Sequence, residues 1–374
     1  MILIPKHIKE LTPYKAGKPI DELVREKGIQ KVVKLASNEN PLGPSPKAAE
    51  AIQKFIPDLH RYTDPSGFKL VSAISKIYNK KIEQIITASG SDALIQYIIT
   101  AFSEEGDELL SSEGTFIGWY VNANKYNRKL KNIPLNDFKF DLTEIADNIS
   151  LKTKMIYLAN PNNPTGTMFT KKEFEKFMNK VPKYILIILD EAYTVYAEEN
   201  PEYPNGFNYD FENLIVLRTL SKAYGLAGLR IGFAIGPEYL IKILYKVKLP
   251  FEPSLLAQEA AMASFEDKNF IRKTVELNKI SLNMMKNKFD ELGISYIPTF
   301  ANFFLLLFPT EEFAISFNDE CLNCGLILRY VKSFGIPNGI RINSGTLEET
   351  KFAIETIEKV YQIVSEKYKT QVLS

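Results

Sequence analysis

Short apolar runs alternate with longer amphipathic stretches from about residue 84 to residue 237. Runs of this length that are rich in β-branched residues indicate strands, and the stretches between them have helical spacing. Seven runs are predicted strands: QIITAS, DELLSS, RKLKNIPL, KMIYLAN, YILIILD, NLIVLRTL and RIGFAIG. The helix candidates SDALIQYIITAF and TKKEFEKFMNKV each open on a Ser or Thr that can cap free N–H groups. The pattern predicts an α/β fold, with a doubly wound, mostly parallel seven-stranded sheet covered by helices on both faces.

The pattern changes after Pro250. Two helical stretches, LLAQEAAMASF and KNFIRKTVELNKISLNMMKNKFDELG, lead into the strand candidates ISYIPT, NFFLLLF, LILRYV and GIRINSG and a last helix through LEETKFAIETIEKVYQIVSEK. This order predicts a smaller α+β domain. We therefore expect an N-terminal arm with part of the small domain over residues 1–45, a large domain over 46–255 and a small C-terminal domain over 256–374.

Composition and charge exclude several function classes. Lys and Arg number 46 against 45 Asp and Glu, so the net charge of +1 gives no field to attract nucleic acid or an anionic membrane. The sequence contains neither a signal-peptide pattern nor a run of about 20 apolar residues, which predicts a cytoplasmic protein. Because His7 and His60 are the only histidines, we expect no histidine triad and no metal site.

Cys321 and Cys324 form a lone C-x-x-C pair. A metal or redox role would need a second ligand pair, or a strand-to-helix context early in a domain. The segment FNDECLNCG instead predicts the end of a helix that is stopped by Gly325.

Residues with reactive or polar side chains follow the ends of successive predicted strands. ASGSDALI follows the first strand, NPNNPTG the fourth, DEAY the fifth and LSKAYGLAGLRIGF the sixth. In an open α/β sheet, the ligand crevice lies outside the carboxyl ends of the strands. The four segments are therefore expected to open onto one crevice.

Two of these segments supply the main groups that a pyridoxal phosphate cofactor needs. Lys222 follows a strand directly and can hold the cofactor as a Schiff base. Asp190 ends the apolar run YILIIL, where a buried carboxylate needs a cationic partner, and a protonated pyridine nitrogen is such a partner. Each residue alone has an ordinary structural explanation, whereas their order and joint placement favour the cofactor.

A phosphate site is predicted where the first strand meets its helix. Gly90, Ser91 and Asp92 lie at this junction, where free amides and the positive end of the helix dipole can receive the cofactor phosphate. Ser221 and Arg230 can complete the cradle, with the arginine forming a charge-assisted pair.

The motifs SNENPLGPSP, GSDALI, NPNNPTG, DEAY, LSKAYGLAGLRIGF and IRINSGT, in this order, resemble fold-type I aminotransferases. They are most similar to the histidinol-phosphate aminotransferase family. The resemblance implies transfer of an amino group from a small-molecule donor, histidinol phosphate, to the 2-oxo acid 2-oxoglutarate in histidine biosynthesis. It also implies that Lys222 forms the internal aldimine and carries a proton between the substrate α-carbon and the cofactor C4′.

The resemblance implies further cofactor contacts. Asn163 and Tyr193 are expected to bond the phenolic oxygen, with Tyr193 counted among the catalytic residues beside Lys222 and Asp190. The turn NPNNPTG is expected to contain cis Asn-Pro bonds. Where the family has a tyrosine stacked on the ring, this chain has Phe116, which keeps the ring face that stacking needs.

The resemblance also implies a homodimer with shared active sites and a set of substrate contacts. Tyr62 is expected to reach the cofactor phosphate of the neighbouring subunit. Arg341 matches the arginine that clamps the substrate α-carboxylate, and Asn40 the residue that closes over it. Arg329 and Tyr14 match the positions that bind the side-chain phosphate of histidinol phosphate.

Other activities share this scaffold, and the fold does not decide among them. They include aromatic and branched-chain aminotransferases, aminotransferases of small keto phosphates, and phosphoserine and phosphothreonine decarboxylases. A decarboxylase would align the bond from Cα to the carboxylate, rather than the Cα–H bond, perpendicular to the ring. A non-enzymatic regulator built on the same domain is disfavoured because Lys222 and Asp190 are both present and the net charge is near zero.

Overall fold

The structure is a computed structural model that describes residues 2–11, 20–29 and 31–372. Its helices are α1 (Lys6–Lys9), α2 (Ile20–Lys27), α3 (Pro46–Phe55), α4 (Phe68–Tyr78), α5 (Ser91–Phe102), α6 (Ile117–Lys125), α7 (Leu142–Asp147), α8 (Lys171–Lys180), α9 (Thr194–Ala197), α10 (Glu238–Val247), α11 (Leu255–Phe265), α12 (Lys268–Leu292), α13 (Glu311–Asn323) and α14 (Leu347–Val372). Its strands are β1 (Val33–Lys34), β2 (Ile85–Ala88), β3 (Glu108–Ser112), β4 (Lys129–Ile133), β5 (Thr153–Ala159), β6 (Leu186–Asp190), β7 (Leu214–Thr219), β8 (Gly232–Ile235), β9 (Ser295–Ile297), β10 (Phe303–Leu307), β11 (Leu326–Ile327), β12 (Arg329–Tyr330) and β13 (Gly339–Asn343).

The large sheet has seven strands in the order β2-β8-β7-β6-β5-β3-β4. β8 runs antiparallel to both of its neighbours, and the other pairs are parallel. Every residue of β6 is buried, as expected for a central strand with helices on both faces. The predicted sheet, with its seven strands and mostly parallel order, is confirmed.

Two helices on this sheet begin differently. α8 begins after Thr170, whose hydroxyl accepts a hydrogen bond from the amide of Glu173 while the Glu173 carboxylate accepts one from the amide of Thr170. α5 begins after Gly90, which has a φ of 92° and no side chain to cap the helix. The first N–H groups of α5 therefore remain available to a ligand at the edge of the sheet.

The C-terminal region builds a second, antiparallel sheet of four strands, in the order β12-β13-β10-β9. The segment LILRYV, predicted as one strand, is divided at Leu328. β11 before it pairs with β1, and β12 after it pairs with β13. The sequence did not predict β1, because two residues are too short for a periodic pattern.

The hydrophobic side chains form two main clusters. One lies on the large sheet and contains buried residues from Ala48 to Ala261. The other joins Val33 and Leu35 to buried residues from Met285 to Val364. Helix α11 packs against α3 in the large cluster. The domain limits proposed from the sequence remain predictions.

Helix α13 ends at Asn323, and Cys324 occupies its C-cap. Gly325 follows with a φ of 84°, and a Cβ atom there would lie 2.3 Å from the carbonyl oxygen of Lys31. Both cysteines are free thiols. The predicted helix end at this C-x-x-C pair is confirmed.

In the described part of the chain, no helix combines the length and apolarity needed to cross a membrane.

Candidate active site

The carboxyl ends of β5, β6 and β7 and the N-terminus of α5 surround a cavity, named here the first cavity. It is lined by Ser91, Asp92, Phe116, Tyr157, Ala159, Pro161, Asn163, Asp190, Ala192, Tyr193, Thr219, Ser221, Lys222 and Arg230. The four motifs that follow predicted strands therefore do open onto one crevice.

Lys222 lies three residues beyond the end of β7. Its Nζ donates a hydrogen bond to the carbonyl oxygen of Ser37 at 3.1 Å. Burial, and after it the nearby guanidinium of Arg341, lower the pKa of Lys222 to about 8, while Glu39 opposes the shift. An amine with this pKa is unprotonated in about one molecule in ten at pH 7, so it can act as a nucleophile or as a base.

Asp190 is the last residue of β6 and is only 5% exposed. Its carboxylate accepts hydrogen bonds from the Tyr157 hydroxyl at 2.8 Å and from the Ala192 amide at 3.1 Å. Burial nevertheless raises the pKa of Asp190 to about 6. A cation placed beside this carboxylate in the first cavity would favour its ionised form, and the protonated nitrogen of a pyridine ring fits that requirement.

The sequence analysis missed Tyr157. Its ring stacks on Trp119 with the centroids 4.9 Å apart, and its hydroxyl holds Asp190. The available signal was a tyrosine hydroxyl within the apolar run KMIYLAN, which forms the strand beside β6. A buried hydroxyl needs a partner, and two acidic residues, Asp190 and Glu191, stand at the end of the neighbouring strand.

The N-terminus of α5 faces Arg230. A Cβ atom on Gly90 would lie 2.7 Å from Nη2 of Arg230 and would displace the guanidinium, and the φ of 92° also favours glycine. The Arg230 guanidinium also donates to the Ser221 hydroxyl at 3.4 Å. A helix N-terminus, two hydroxyls from Ser91 and Ser221, and one arginine together fit a phosphate group.

Asp92 lines the same end of the first cavity. Its carboxylate accepts a hydrogen bond from the Asn122 amide at 3.1 Å. Burial raises the pKa of Asp92, and Arg230 opposes that shift. The carboxylate thus has an amide and a guanidinium as its neighbours.

The two Asn-Pro bonds of NPNNPTG differ. Asn160–Pro161 is cis and Asn163–Pro164 is trans, so the prediction is confirmed for the first bond and wrong for the second. Pro161 and Asn163 both line the first cavity.

Polar groups link Asn163 and Tyr193 to the small domain. The Arg341 guanidinium donates to the Asn163 side-chain oxygen, and Asn38 donates to the Tyr193 hydroxyl at 2.7 Å. Burial raises the pKa of Tyr193 to about 12, so its hydroxyl stays protonated at neutral pH. Both side chains can therefore donate hydrogen bonds to an oxygen in the first cavity.

A second cavity shares several walls with the first. It is lined by Lys34, Ala36, Ser37, Asn38, Phe116, Ile117, Asn163, Tyr193, Lys222, Arg329, Phe334 and Arg341. Arg341 lies on β13 and Arg329 on β12, and the two are directly opposite each other in the antiparallel pair. Arg341 also donates to the carbonyl oxygen of Ala36 at 2.6 Å.

Two predicted residues lie elsewhere, and a third falls outside the described part of the chain. Asn40 is not among the described residues that line either cavity, because its side-chain amide donates to the carbonyl of Ala223 at 2.8 Å and to Thr274 at 3.0 Å. Tyr62 is 83% exposed and stacks on Phe251 outside both cavities. Tyr14 lies outside the described residues. Their assigned roles remain predictions, and Asn38, two residues before Asn40, is the asparagine of this loop that lines the second cavity.

A buried ion pair lies beside the strand ends that carry Asp190 and Lys222. Arg218 on β7 donates from Nε and Nη2 to one oxygen of Glu191 at 2.9 and 2.7 Å. The other Glu191 oxygen accepts from the Gly206 amide at 2.6 Å. The Arg218 guanidinium lies 3.8 Å from the Phe207 ring centroid. The pair therefore ties β7 to the segment that follows β6.

We expect Arg218→Met to lower the free energy of unfolding by about 3–5 kcal/mol, because it leaves the buried Glu191 carboxylate without its cation. Urea denaturation of the purified variant measures the loss. The exposed pair between Lys286 and Asp290 provides the control, since Lys286→Met should leave the free energy of unfolding nearly unchanged. Equal losses in the two variants would contradict this interpretation.

Comparison with known proteins identifies the family. The family description "Aminotransferase class I and II" matches residues 30–357. Histidinol-phosphate aminotransferase 2 of Hydrogenovibrio crunogenus is 40% identical over 357 residues, which cover 95% of this chain and 95% of that protein. Histidinol-phosphate aminotransferase 1 of Mannheimia succiniciproducens is also 40% identical over 357 residues, covering 95% of this chain and 97% of the relative.

Solved structures share the fold. The histidinol-phosphate aminotransferase of Sinorhizobium meliloti, in complex with pyridoxal 5'-phosphate, superposes with a TM-score of 0.89 at 24% identity and covers 96% of this chain and 98% of that one. Aspartate aminotransferase from Thermus thermophilus with maleate superposes with a TM-score of 0.82 at 18% identity, over 96% of this chain and 100% of that one. The chain belongs to the class I and II aminotransferases, as its motifs predicted, and is a fold-type I enzyme that depends on pyridoxal 5'-phosphate.

Proposed function

We propose that this enzyme transfers an amino group between histidinol phosphate and 2-oxoglutarate, in the reversible reaction that serves histidine biosynthesis. Two relatives that carry the name histidinol-phosphate aminotransferase are 40% identical to the chain over 95% of its length. Among the described residues, the observation that carries the substrate assignment is the pair of arginines, Arg329 and Arg341, that line the second cavity.

The two arginines favour a doubly charged anion. They are opposite each other on β12 and β13, where like charges repel. An anion between them would remove this repulsion. A phosphate monoester carries a charge of about −1.5 to −2 at neutral pH and accepts several hydrogen bonds from guanidinium groups. Two guanidinium groups therefore balance the charge of one substrate phosphate.

The chemistry of the two substrates agrees with one shared anion site. In histidinol phosphate, the phosphate ester is on the carbon next to the amino-bearing carbon, where 2-oxoglutarate carries its 1-carboxylate beside the oxo carbon. Arg329 and Arg341 can therefore hold either group while the reacting carbon stays near Lys222. The apolar side chains of Phe116, Ile117 and Phe334 in the second cavity offer contacts to the imidazole ring.

The bound cofactor withdraws electrons from the amino-bearing carbon, which makes its hydrogen removable as a proton. Lys222 Nζ would accept this proton and return it to the bound cofactor. The pKa of about 8 suits a group that both accepts and returns a proton near neutral pH. Phe116 covers a face of the ring, and Asp190 holds the charge at the ring nitrogen.

Other side chains hold the cofactor in place. Asn163 and Tyr193 would donate hydrogen bonds to its phenolic oxygen. Arg230, with Ser221 and the N-terminus of α5 at Gly90, Ser91 and Asp92, holds its phosphate.

We further propose that the active unit is a homodimer. Tyr62, 83% exposed and outside both cavities of its own chain, is available to contact the cofactor phosphate of a second copy. Three exposed apolar residues support an interface here: Phe251, which stacks on Tyr62, Leu249, which is close to Phe251 in sequence, and Leu59, which is close to Tyr62 in sequence.

A cytoplasmic location belongs to the same proposal, because the reaction draws on the cytoplasmic pools of glutamate and 2-oxoglutarate.

Replacing Arg329 tests the substrate assignment. We expect Arg329→Ala to lower kcat/KM for histidinol phosphate by about 10²-fold, since a charge-assisted hydrogen bond to the phosphate is lost. The value for phenylalanine should fall less, by under about tenfold, because its α-carboxylate would occupy the same anion site with a single charge that Arg341 alone can balance. The exposed Arg272 on α12 offers a control, and Arg272→Ala should leave both donors unaffected. An equal loss for the two donors would remove Arg329 from the phosphate site.

A further inference from the structure

A third cation, Lys34, lines the second cavity together with Arg329 and Arg341. It lies at the end of β1, directly opposite Ile327 in the parallel pair with β11. The chain bends at Ala36 and Ser37, and Ala36 and Asn38, two and four residues further on, line the same cavity. The side chain of Lys34 is 22% exposed, so the ammonium group is partly shielded from water.

Among the described residues, the ammonium group of Lys34 has one charged partner, and the contact is weak. Its Nζ lies 3.4 Å from both carboxylate oxygens of Glu39, whose side chain is 48% exposed. A long contact between partly exposed charges contributes little to stability. Lys34 has a flexible four-carbon stem and three donors, so it can turn from Glu39 to an anion in the cavity at small cost.

We propose that Lys34 determines specificity for a phosphate over a carboxylate at the shared anion site. This inference rests on the proposed function, and it adds a residue to that site. Two arginines exceed the single charge of a carboxylate and match a phosphate only when it is fully ionised. A third cation raises the affinity for the dianion more than for the monoanion, because its Coulomb attraction scales with the charge of the ligand. Glu39 holds Lys34 at the cavity until a phosphate binds.

The test uses the full-length holoenzyme and two small anions, inorganic phosphate and acetate. Each is measured as a competitive inhibitor of the half-reaction with glutamate, followed by the visible absorption of the bound cofactor. The cofactor fills its own phosphate site in the holoenzyme, so inorganic phosphate reports on the substrate site. We expect Lys34→Met to raise the inhibition constant of phosphate about tenfold and that of acetate less than threefold.

Two further variants separate this role from general damage. Glu39→Gln frees Lys34 and removes a negative charge, so it should lower the inhibition constant of phosphate. Lys131→Met is the matched control: Lys131 is also a half-buried lysine on a strand, and it donates to the carbonyl of Asn148 far from the site in sequence. It should leave both constants unchanged. If Lys34→Met does not retain the cofactor, Lys34→Gln is measured in its place. The inhibition constants of Glu39→Gln are then compared with wild type as before.

The inference is overturned if Lys34→Met leaves the phosphate constant unchanged or raises both constants equally. It is also overturned if Glu39→Gln weakens phosphate binding. These outcomes are independent of the amino donor. A wild-type enzyme that discriminates phosphate through Lys34 but does not use histidinol phosphate would disprove the proposed function alone.

Discussion

Lys222→Ala should reduce kcat by at least about 10⁴-fold, because the variant loses both the amine that holds the cofactor and the base that moves the proton. Steady-state assays with a saturating amino donor measure the loss. A second readout is chemical: borohydride reduction should fix the cofactor to the wild-type chain and should fail to do so in the variant. Lys131→Ala, which lies outside both cavities, should retain full turnover.

Turnover in Lys222→Ala within about tenfold of wild type would contradict the role assigned to this lysine. Loss of turnover with unchanged borohydride fixation would place the covalent link on another lysine. The lowered pKa does not identify the residue by itself, since Lys248 also has a pKa near 8 because of burial. Lys222 differs from Lys248 in its position, because it lines the first cavity with Asp190 and the second cavity with Arg329 and Arg341.

Asp190→Asn should stabilise the protein without cofactor and impair the protein with cofactor. Burial raises the pKa of Asp190 from 3.8 to about 6. Folding thus disfavours the ionised form of Asp190. Its contribution to the free energy of unfolding is fully present below about pH 4, and this contribution is lost as the pH rises through about 6. Two pKa units correspond to about 3 kcal/mol, so the cofactor-free variant should gain up to about 3 kcal/mol at pH 8 and nothing at pH 4.

The holoenzyme should respond in the opposite sense. An amide cannot balance a protonated ring nitrogen, so the cofactor becomes a weaker electron sink and kcat should fall by about 10²-fold or more. Denaturation of both forms at pH 4 and pH 8, together with steady-state kinetics, measures the two effects. Tyr157→Phe is a milder comparison, because it removes one hydrogen bond to Asp190 and keeps the charge. A stability gain that is the same at both pH values would contradict the burial argument.

The sequence predicted the large sheet well because its strands are buried on both faces. A strand such as LIILD has no polar face, so its apolar run is continuous and its end is marked by Asp190. The carboxyl ends of parallel strands meet at one edge, and the motifs that follow them had to converge. The grouping of Lys222, Asp190, Asn163 and Arg230 around one cavity therefore followed from topology.

The small domain was harder to predict because its strands are short and change partners. LILRYV has one apolar pattern, yet Leu326 and Ile327 pair with β1 whereas Arg329 and Tyr330 pair with β13. The division places Arg329 opposite Arg341, which no local pattern indicates. Sequence spacing shows which face a residue occupies, but a partner more than ten residues away depends on register.

Contacts between distant segments account for the residues that sequence reasoning missed. Asn38 donates to Tyr193, and Lys34 lies near Arg329 and Arg341, although long stretches of chain separate them. Asn40 illustrates the converse: a motif match suggested a substrate contact, whereas its side chain bonds Ala223 and Thr274. Side-chain direction in a loop is set by such bonds, and composition does not encode it.

The most direct test of the account is an amino-donor panel with the purified wild-type enzyme and 2-oxoglutarate. It compares histidinol phosphate, phenylalanine and phosphoserine and measures carbon dioxide release in parallel. The account predicts that kcat/KM for histidinol phosphate exceeds that for each other donor by at least about 10²-fold, with no carbon dioxide released. A preference for phenylalanine, or carbon dioxide release from phosphoserine, would contradict it.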